Sequence, residues 1–159
     1  MAKLPQPFDD YIVDTDKAHF DYDAAWDWLH NHAYWGKTRT RPEMDVQFDN
    51  SFMVFGLFDR DGKMVGAARA IGEPNLAYLS DVYILESVQG KGLGKAFLGF
   101  VLNAEGRKKW SWVCHASRMK DWYVKYFDFY DIGETQRMTD QGLNHMLERV
   151  GKIVYPEEV

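Results

Sequence analysis

Leu76-Ala-Tyr-Leu-Ser-Asp-Val-Tyr-Ile-Leu85 and Gln89-Gly-Lys-Gly-Leu-Gly-Lys95 are adjoining segments from which the architecture of this 159-residue chain can be worked out. The first is rich in aliphatic, Tyr and Val residues, which predicts a strand. Apolar residues then recur at helical spacing from Leu93 to Ala104, which predicts a helix. The three glycines of the second segment therefore lie where a strand passes into a helix. There they allow a ligand to approach the backbone closely, and the unpaired N–H groups of a helix start favour a phosphate.

The known phosphate loops fit this segment poorly. A P-loop needs glycine where Gln89 stands and Ser or Thr where Ala96 stands, and a dinucleotide fingerprint needs a third glycine where Lys95 stands. The pattern Gln89-x-x-Gly92-x-Gly94 instead resembles the [Q/R]-x-x-G-x-[G/A] signature of the GNAT N-acetyltransferase superfamily. In that superfamily the loop binds the pyrophosphate of acetyl-CoA.

The rest of the chain predicts a matching order of elements, βααβββαβαββ, within a single domain spanning residues 1–159. Asp21 or Asp23 is suited to cap the first helix, which carries an apolar face as far as Ala33 and which Gly36 is placed to end. The predicted strands cover about residues 10–15, 51–58, 64–71, 76–85, 111–116, 131–139 and 144–150. The resemblance implies an α+β (mixed α/β) fold of three layers, with a mostly antiparallel central sheet that is splayed at the cofactor cleft. Motifs such as Tyr34-Trp35 and Arg41-Pro-Glu43 also resemble one bacterial GNAT subfamily.

The resemblance also implies which residues bind acetyl-CoA. In GNAT proteins the pantetheine arm fills the gap beside the central strand, and main-chain N–H groups there polarise the thioester carbonyl. The residues at the matching positions are Val82, Tyr83, Ile84, Gln89, Gly90, Lys91, Gly92, Leu93, Gly94 and Lys95.

Acetyl transfer to an amine needs two proton movements, and the sequence offers candidates for both. Tyr123 resembles the family tyrosine that protonates the departing thiolate, and a slip of the helix register would bring Tyr126 there instead. Asp81 is the best acidic residue for a base, provided that burial raises its pKa, but it is equally suited to a structural role. His115 is a second choice for the base, and deprotonation through water stays open.

The loop after the first helix carries the predicted acceptor site. Tyr34, Trp35 and Arg41 would suit an acceptor with a carboxylate and an apolar or aromatic part. The alternative is structural: Trp35 packs in the core, and Arg41 is solvated or pairs with a nearby acid. The predicted function is direct acetyl transfer from acetyl-CoA to a primary amine of a small molecule. A protein or peptide N-acetyltransferase and a non-catalytic regulator that binds acyl-CoA are the alternatives.

Composition limits the remaining classes. A net charge of −5 gives no support for a nucleic-acid partner, and the single cysteine, Cys114, excludes an internal disulfide. The N-terminus lacks the apolar run of a signal peptide, and no segment is as apolar and long as a membrane span. We therefore expect a cytoplasmic protein without a membrane or metal partner, and a homodimer is left open.

Overall fold

The computed structural model describes residues 1–104, 106–139 and 142–151, and its described strands form one sheet. The strands are β1 (Ala2–Lys3), β2 (Ile12–Asp14), β3 (Met53–Phe58), β4 (Met64–Glu73), β5 (Leu76–Ile84), β6 (Ser111–Ala116), β7 (Tyr130–Thr139) and β8 (Gly142–Arg149). The α-helices are α1 (Tyr22–Asn31), α2 (Arg41–Asp49), α3 (Leu93–Asn103) and α4 (Lys120–Phe127). Apart from β1, which is too short to be read from sequence, this is the predicted order.

The sheet has the order β1-β2-β3-β4-β5-β6-β8-β7. β5 and β6 are parallel, and the other described neighbours are antiparallel. The predicted α+β fold with a mostly antiparallel sheet is therefore confirmed. The single-domain prediction also covers residues 105, 140–141 and 152–159, which lie outside the described residues.

Helices cover both faces of this sheet and make two apolar cores. The core beneath α1 and α2 includes Phe20, Ala25, Trp28, Leu29, Met44, Phe48, Val54 and Tyr83. The core beneath α3 and α4 includes Leu93, Phe97, Leu98, Val101, Leu102, Trp112, Phe127 and Leu147. Burial of these side chains, rather than helix propensity alone, stabilises the layers. None of the helices in the described ranges is long and apolar enough to cross a membrane.

The first helix begins as predicted but ends early. The Asp21 side chain accepts a hydrogen bond from the Ala24 N–H at 2.9 Å and so caps the helix. The helix ends at Asn31, so the expectation that it continues through Ala33 to Gly36 is wrong. A Cβ on Gly36 would lie 2.1 Å from the carbonyl oxygen of Leu29, so the chain folds back onto α1 where only glycine fits.

Candidate active site

The cofactor cleft predicted from the sequence corresponds to a gap between β5 and β6. The two strands pair at Leu76–Tyr78 and Ser111–Val113 and then diverge, because β6 continues beside β8 as far as Ala116. Val82 and Ile84 lie on the diverging part of β5 and pack against the core beneath α3. The edge of β5 that faces the gap therefore carries main-chain groups that a ligand can bind.

A β-bulge at Asp81 lies where the strands separate. β4 and β5 pair at Arg69 with Ser80 and at Ala67 with Tyr83, so one residue of β4 faces two of β5. Asp81 has a φ of +51°, a conformation that few residues other than glycine adopt. The bulge changes the strand's alternation, because Leu79 packs beneath α3 whereas Tyr83 packs beneath α1. A strict alternation read from the sequence would give both residues the same face.

The glycine loop leads directly into α3. Gly92 is the N-cap of this helix with a φ of +88°, and it offers no side-chain cap to the first N–H groups. A Cβ on Gly94 would lie 3.4 Å from the Ile84 side chain, so the helix start approaches β5 closely. The Gln89 side chain donates a hydrogen bond to the Ile84 carbonyl at 3.0 Å and fixes the loop against the end of the strand. With Lys91 and Lys95 exposed nearby, this geometry suits a diphosphate.

The Asp81 carboxylate is buried in a network of donors. It accepts hydrogen bonds from the Trp35 indole at 2.9 Å, from Arg39 at 2.9 and 3.0 Å, and from Arg69 at 2.6 Å. Burial alone would raise the pKa of Asp81, but the hydrogen bonds and charges of the two arginines outweigh it, and the pKa is lowered. The raised pKa that the base role required is therefore not found, and the geometry favours the structural alternative.

The loop between α1 and α2 reaches this network, but through a different arginine from the predicted one. Tyr34 and Trp35 lie beside the site: the Tyr34 hydroxyl is 2.6 Å from that of Ser117, just beyond β6, and Trp35 bonds Asp81. Arg41 lies elsewhere, since it pairs with Asp23 of α1 and Asp45 of α2 at 2.6 and 2.7 Å.

Arg39, Arg69 and Ser117 were not among the site residues predicted from the sequence. Arg39 lies only two positions before Arg41, in a polar loop whose conformation no periodicity determines. Arg69 stands within a strand whose apolar neighbours gave no sign of a buried carboxylate partner. A buried Asp81 would itself have been the available signal, because a buried carboxylate needs cationic partners.

The two tyrosines proposed as proton donors occupy different environments. Tyr123 packs against the core beneath α3, with its ring 5.5 Å from that of Phe129, and burial raises the pKa of its hydroxyl. Tyr126 is 41% exposed, and the Lys95 ammonium lies 4.2 Å from its ring centre. Of the two, Tyr123 is the one that packs against the core residues of the sheet.

β6 carries two further titratable groups, His115 and Cys114. The His115 ring is exposed, and its Nδ1 lies 3.0 Å from the Tyr78 hydroxyl at the base of the gap. Cys114 is buried, and burial raises the pKa of its thiol to about 12, which keeps it protonated. Across the ranges that the structure describes, no three His, Cys, Asp or Glu side chains are grouped as a metal site requires.

An apolar groove of about 610 Å³ lies outside the gap. It is bounded by Pro5 and Phe8 and by the outer face of α3 from Gly92 to Ala104. The groove shares only the start of α3 with the glycine loop. The divergence of β5 from β6 therefore defines the candidate site better than this groove does.

Comparisons with known proteins agree with this geometry. Residues 19–130 match the model of the acetyltransferase (GNAT) family. A solved structure from Xanthomonas campestris that was assigned to the GNAT family is 26% identical with a TM-score of 0.66, covering 77% of this chain and 84% of that one. The ribosomal-protein-S18-alanine N-acetyltransferase of Escherichia coli is 16% identical with a TM-score of 0.73, covering 94% and 98%. The Vibrio cholerae spermidine N-acetyltransferase in complex with CoA and spermine is 13% identical with a TM-score of 0.64, covering 89% and 96%. No curated protein gives a significant match.

Proposed function

Because the chain belongs to the acetyltransferase (GNAT) family, we propose that this N-acetyltransferase moves an acetyl group directly from acetyl-CoA to a primary amine of a small molecule. The observation that carries the proposal is the divergence of β5 from β6 beyond Tyr78, with a glycine loop at the end of β5. An open strand edge suits the pantetheine amides, and the helix start suits the pyrophosphate. The similarly folded spermidine N-acetyltransferase that holds CoA supports this assignment.

The chemistry needs a polarised thioester and a proton for the leaving group. The amine nitrogen attacks the thioester carbon, and the C–S bond breaks as the N–C bond forms. Main-chain N–H groups of Val82 to Ile84 would stabilise the charge that develops on the carbonyl oxygen. Tyr123 would give its proton to the CoA thiolate as the C–S bond breaks.

The amine must lose a proton, and Asp81 is poorly suited to accept it. Its carboxylate already accepts four hydrogen bonds, which is about its full capacity. Water or His115 is the better acceptor, since the His115 ring is exposed beside Tyr78 at the base of the gap.

The closure of the site on the acceptor side supports a small acceptor over a peptide. The Tyr34–Ser117 hydrogen bond joins the loop after α1 to the segment after β6 at 2.6 Å. A peptide substrate would need a long open groove between these two segments, which this bond holds together.

A broad panel of primary amines, assayed for thiol release and for the mass of the acetylated product, tests the proposal. We expect CoA release that depends on the amine in wild type and is lost in Gly92→Asp, because a carboxylate at the helix start repels the pyrophosphate. Binding of CoA without amine-dependent release across the panel would favour the acyl-CoA-binding regulator. Acetylation of peptides but not of small amines would favour the protein acetyltransferase.

A further inference from the structure

The network around Asp81 has unequal charges. One carboxylate carries two ion pairs, with Arg39 at 2.9 Å and with Arg69 at 2.6 Å, so one positive charge stays uncompensated. All three side chains are largely or fully buried, with 0% exposure for Asp81, 7% for Arg69 and 14% for Arg39. A cation away from water is unfavourable unless it is paired, so the excess charge favours the binding of an anion.

Arg39 is the member of the network on which that anion would bind. The other donor groups of Arg69 reach the hydroxyl groups of Ser51 and Ser80, at 3.4 and 3.3 Å. In the part of the chain that the structure describes, the Arg39 guanidinium has hydrogen bonds to Asp81 alone, and these use two of its five N–H donors.

Among the residues that the structure describes, the nearby acid Glu43 forms no ion pair with Arg39. Hydrogen bonds from Thr40 lower the pKa of the Glu43 carboxyl, and the charge of Arg39 lowers it further. Its carboxylate is exposed and accepts hydrogen bonds from the Thr40 N–H and hydroxyl at 2.7 and 2.9 Å, which fixes it at the start of α2.

Arg39 and its uncompensated charge lie close to the proposed acceptor site. Its partner Asp81 directly precedes Val82, on the part of β5 that has separated from β6. The Trp35 ring, which shares Asp81 with Arg39, is 36% exposed, and its edge contacts Tyr34 with ring centres 5.0 Å apart. A free guanidinium edge and exposed aromatic surface thus lie together beside the cleft.

From this juxtaposition we infer that the amine acceptor also carries a carboxylate, which Arg39 binds while an apolar part of the acceptor lies against Trp35. The inference rests on the proposed function, because it concerns the acceptor of the same reaction. The charge that attracts a carboxylate also repels a polycation. Polyamines, the acceptor class named for the spermidine N-acetyltransferases of similar fold, should therefore be poor substrates.

Matched pairs of acceptors test this inference. α- and ω-amino acids with aromatic and aliphatic side chains are each compared with their amides and with spermidine, using thiol release for turnover. Binding is measured separately, as the thermal shift that each compound adds to the CoA complex. The variants are Arg39→Gln, which removes the charge, and Arg39→Lys, which keeps the charge but loses the forked geometry. Arg60→Gln, an exposed arginine in the turn after β3, is the control.

In wild type we expect the best acids to exceed their amides by about tenfold or more in kcat/KM. Arg39→Gln should remove most of that ratio by raising the KM of the acid, with the KM of acetyl-CoA little changed, and Arg60→Gln should preserve it. Because the variants are compared by the acid-to-amide ratio, any intrinsic difference in amine basicity cancels.

Preference for amides or spermidine in wild type would overturn the inference, and so would an acid-to-amide ratio that Arg39→Gln leaves unchanged. If no amine releases thiol, the proposed function fails, and the binding measurement decides the inference by itself. A thermal shift by the acids that is present in wild type and lost in both Arg39 variants would support an anion site. Absence of an Arg39-dependent shift would refute it.

Discussion

The Arg39 guanidinium and the Asp81 carboxylate form a two-pronged ion pair, at 2.9 and 3.0 Å, that joins the acceptor-side loop to the bulge of β5. Asp81 has a left-handed backbone conformation, which costs roughly 1–2 kcal/mol for a residue with a side chain. The network of hydrogen bonds on its carboxylate offsets that strain. The loop between α1 and α2 and the diverging part of β5 are therefore held by the same side chain.

Asp81→Asn should destabilise the protein without removing a catalytic base. Asparagine tolerates the left-handed backbone, so the loss comes from leaving two arginines without their counter-charge. Breaking such a buried pair lowers the free energy of unfolding by about 3–5 kcal/mol, which denaturant unfolding measures. Asp61→Asn, an exposed acid in the turn after β3, should have little effect. If Asp81→Asn kept its stability but lost most of its turnover, the result would support Asp81 as the catalytic base.

The pH dependence of that stability difference has a definite sign. Because the pKa of Asp81 is lowered in the folded state, its contribution is fully present above its ordinary value of 3.8 and is lost as the pH falls through the folded value. The difference in melting temperature between wild type and Asp81→Asn should stay constant from about pH 5 to 8 and shrink in stronger acid. Any limb of the pH–rate profile near neutrality should persist in Asp81→Asn.

Gly92→Ala should lower acetyl-CoA binding more than its effect on folding explains. Gly92 and Gly62 have φ values of +88° and +79°, and a Cβ would meet no close contact at either position. Gly62→Ala, in the turn after β3, is therefore a matched control for backbone strain. Both variants should lose roughly 1–2 kcal/mol of stability. Only Gly92→Ala should lose the rise in melting temperature that millimolar acetyl-CoA gives the wild type. If acetyl-CoA raised the melting temperature of both variants equally, the glycine loop would not be part of the cofactor site.

The sequence predicted the order of elements because each rests on a local pattern. The strand–glycine–helix succession at residues 76–104 and the capping aspartate at Asp21 are of this kind. The partners of Asp81 are not local, since Arg39 and Arg69 lie 42 and 12 residues away along the chain. The bulge also reverses the face that the residues of β5 beyond Asp81 present, and this cannot be read from a two-residue alternation. Loops and long-range charge pairs are consequently where the predicted and observed sites differ.

Arg41→Gln should leave the KM of the acceptor unchanged. The Arg41 side chain links α1 to α2 through Asp23 and Asp45, and exposed pairs of this kind contribute little to stability. We therefore expect a slightly lower melting temperature and wild-type kinetics with the best acceptor of the amine panel. A rise in acceptor KM with Arg41→Gln, but not with Arg39→Gln, would show that Arg41 binds the acceptor, as the sequence predicted.

Tyr123→Phe should lower turnover by about 10- to 1000-fold, the range expected for loss of one proton donor. The hydroxyl acts only as the thiolate leaves, so acetyl-CoA should raise the melting temperature of the variant as much as that of wild type. Tyr126→Phe is the matched control, because that ring lies outside the core against Lys95 and should keep near-wild-type turnover. A loss confined to Tyr126→Phe would mean that the other face of α4 meets the CoA sulfur. If both variants keep wild-type turnover, water delivers the proton.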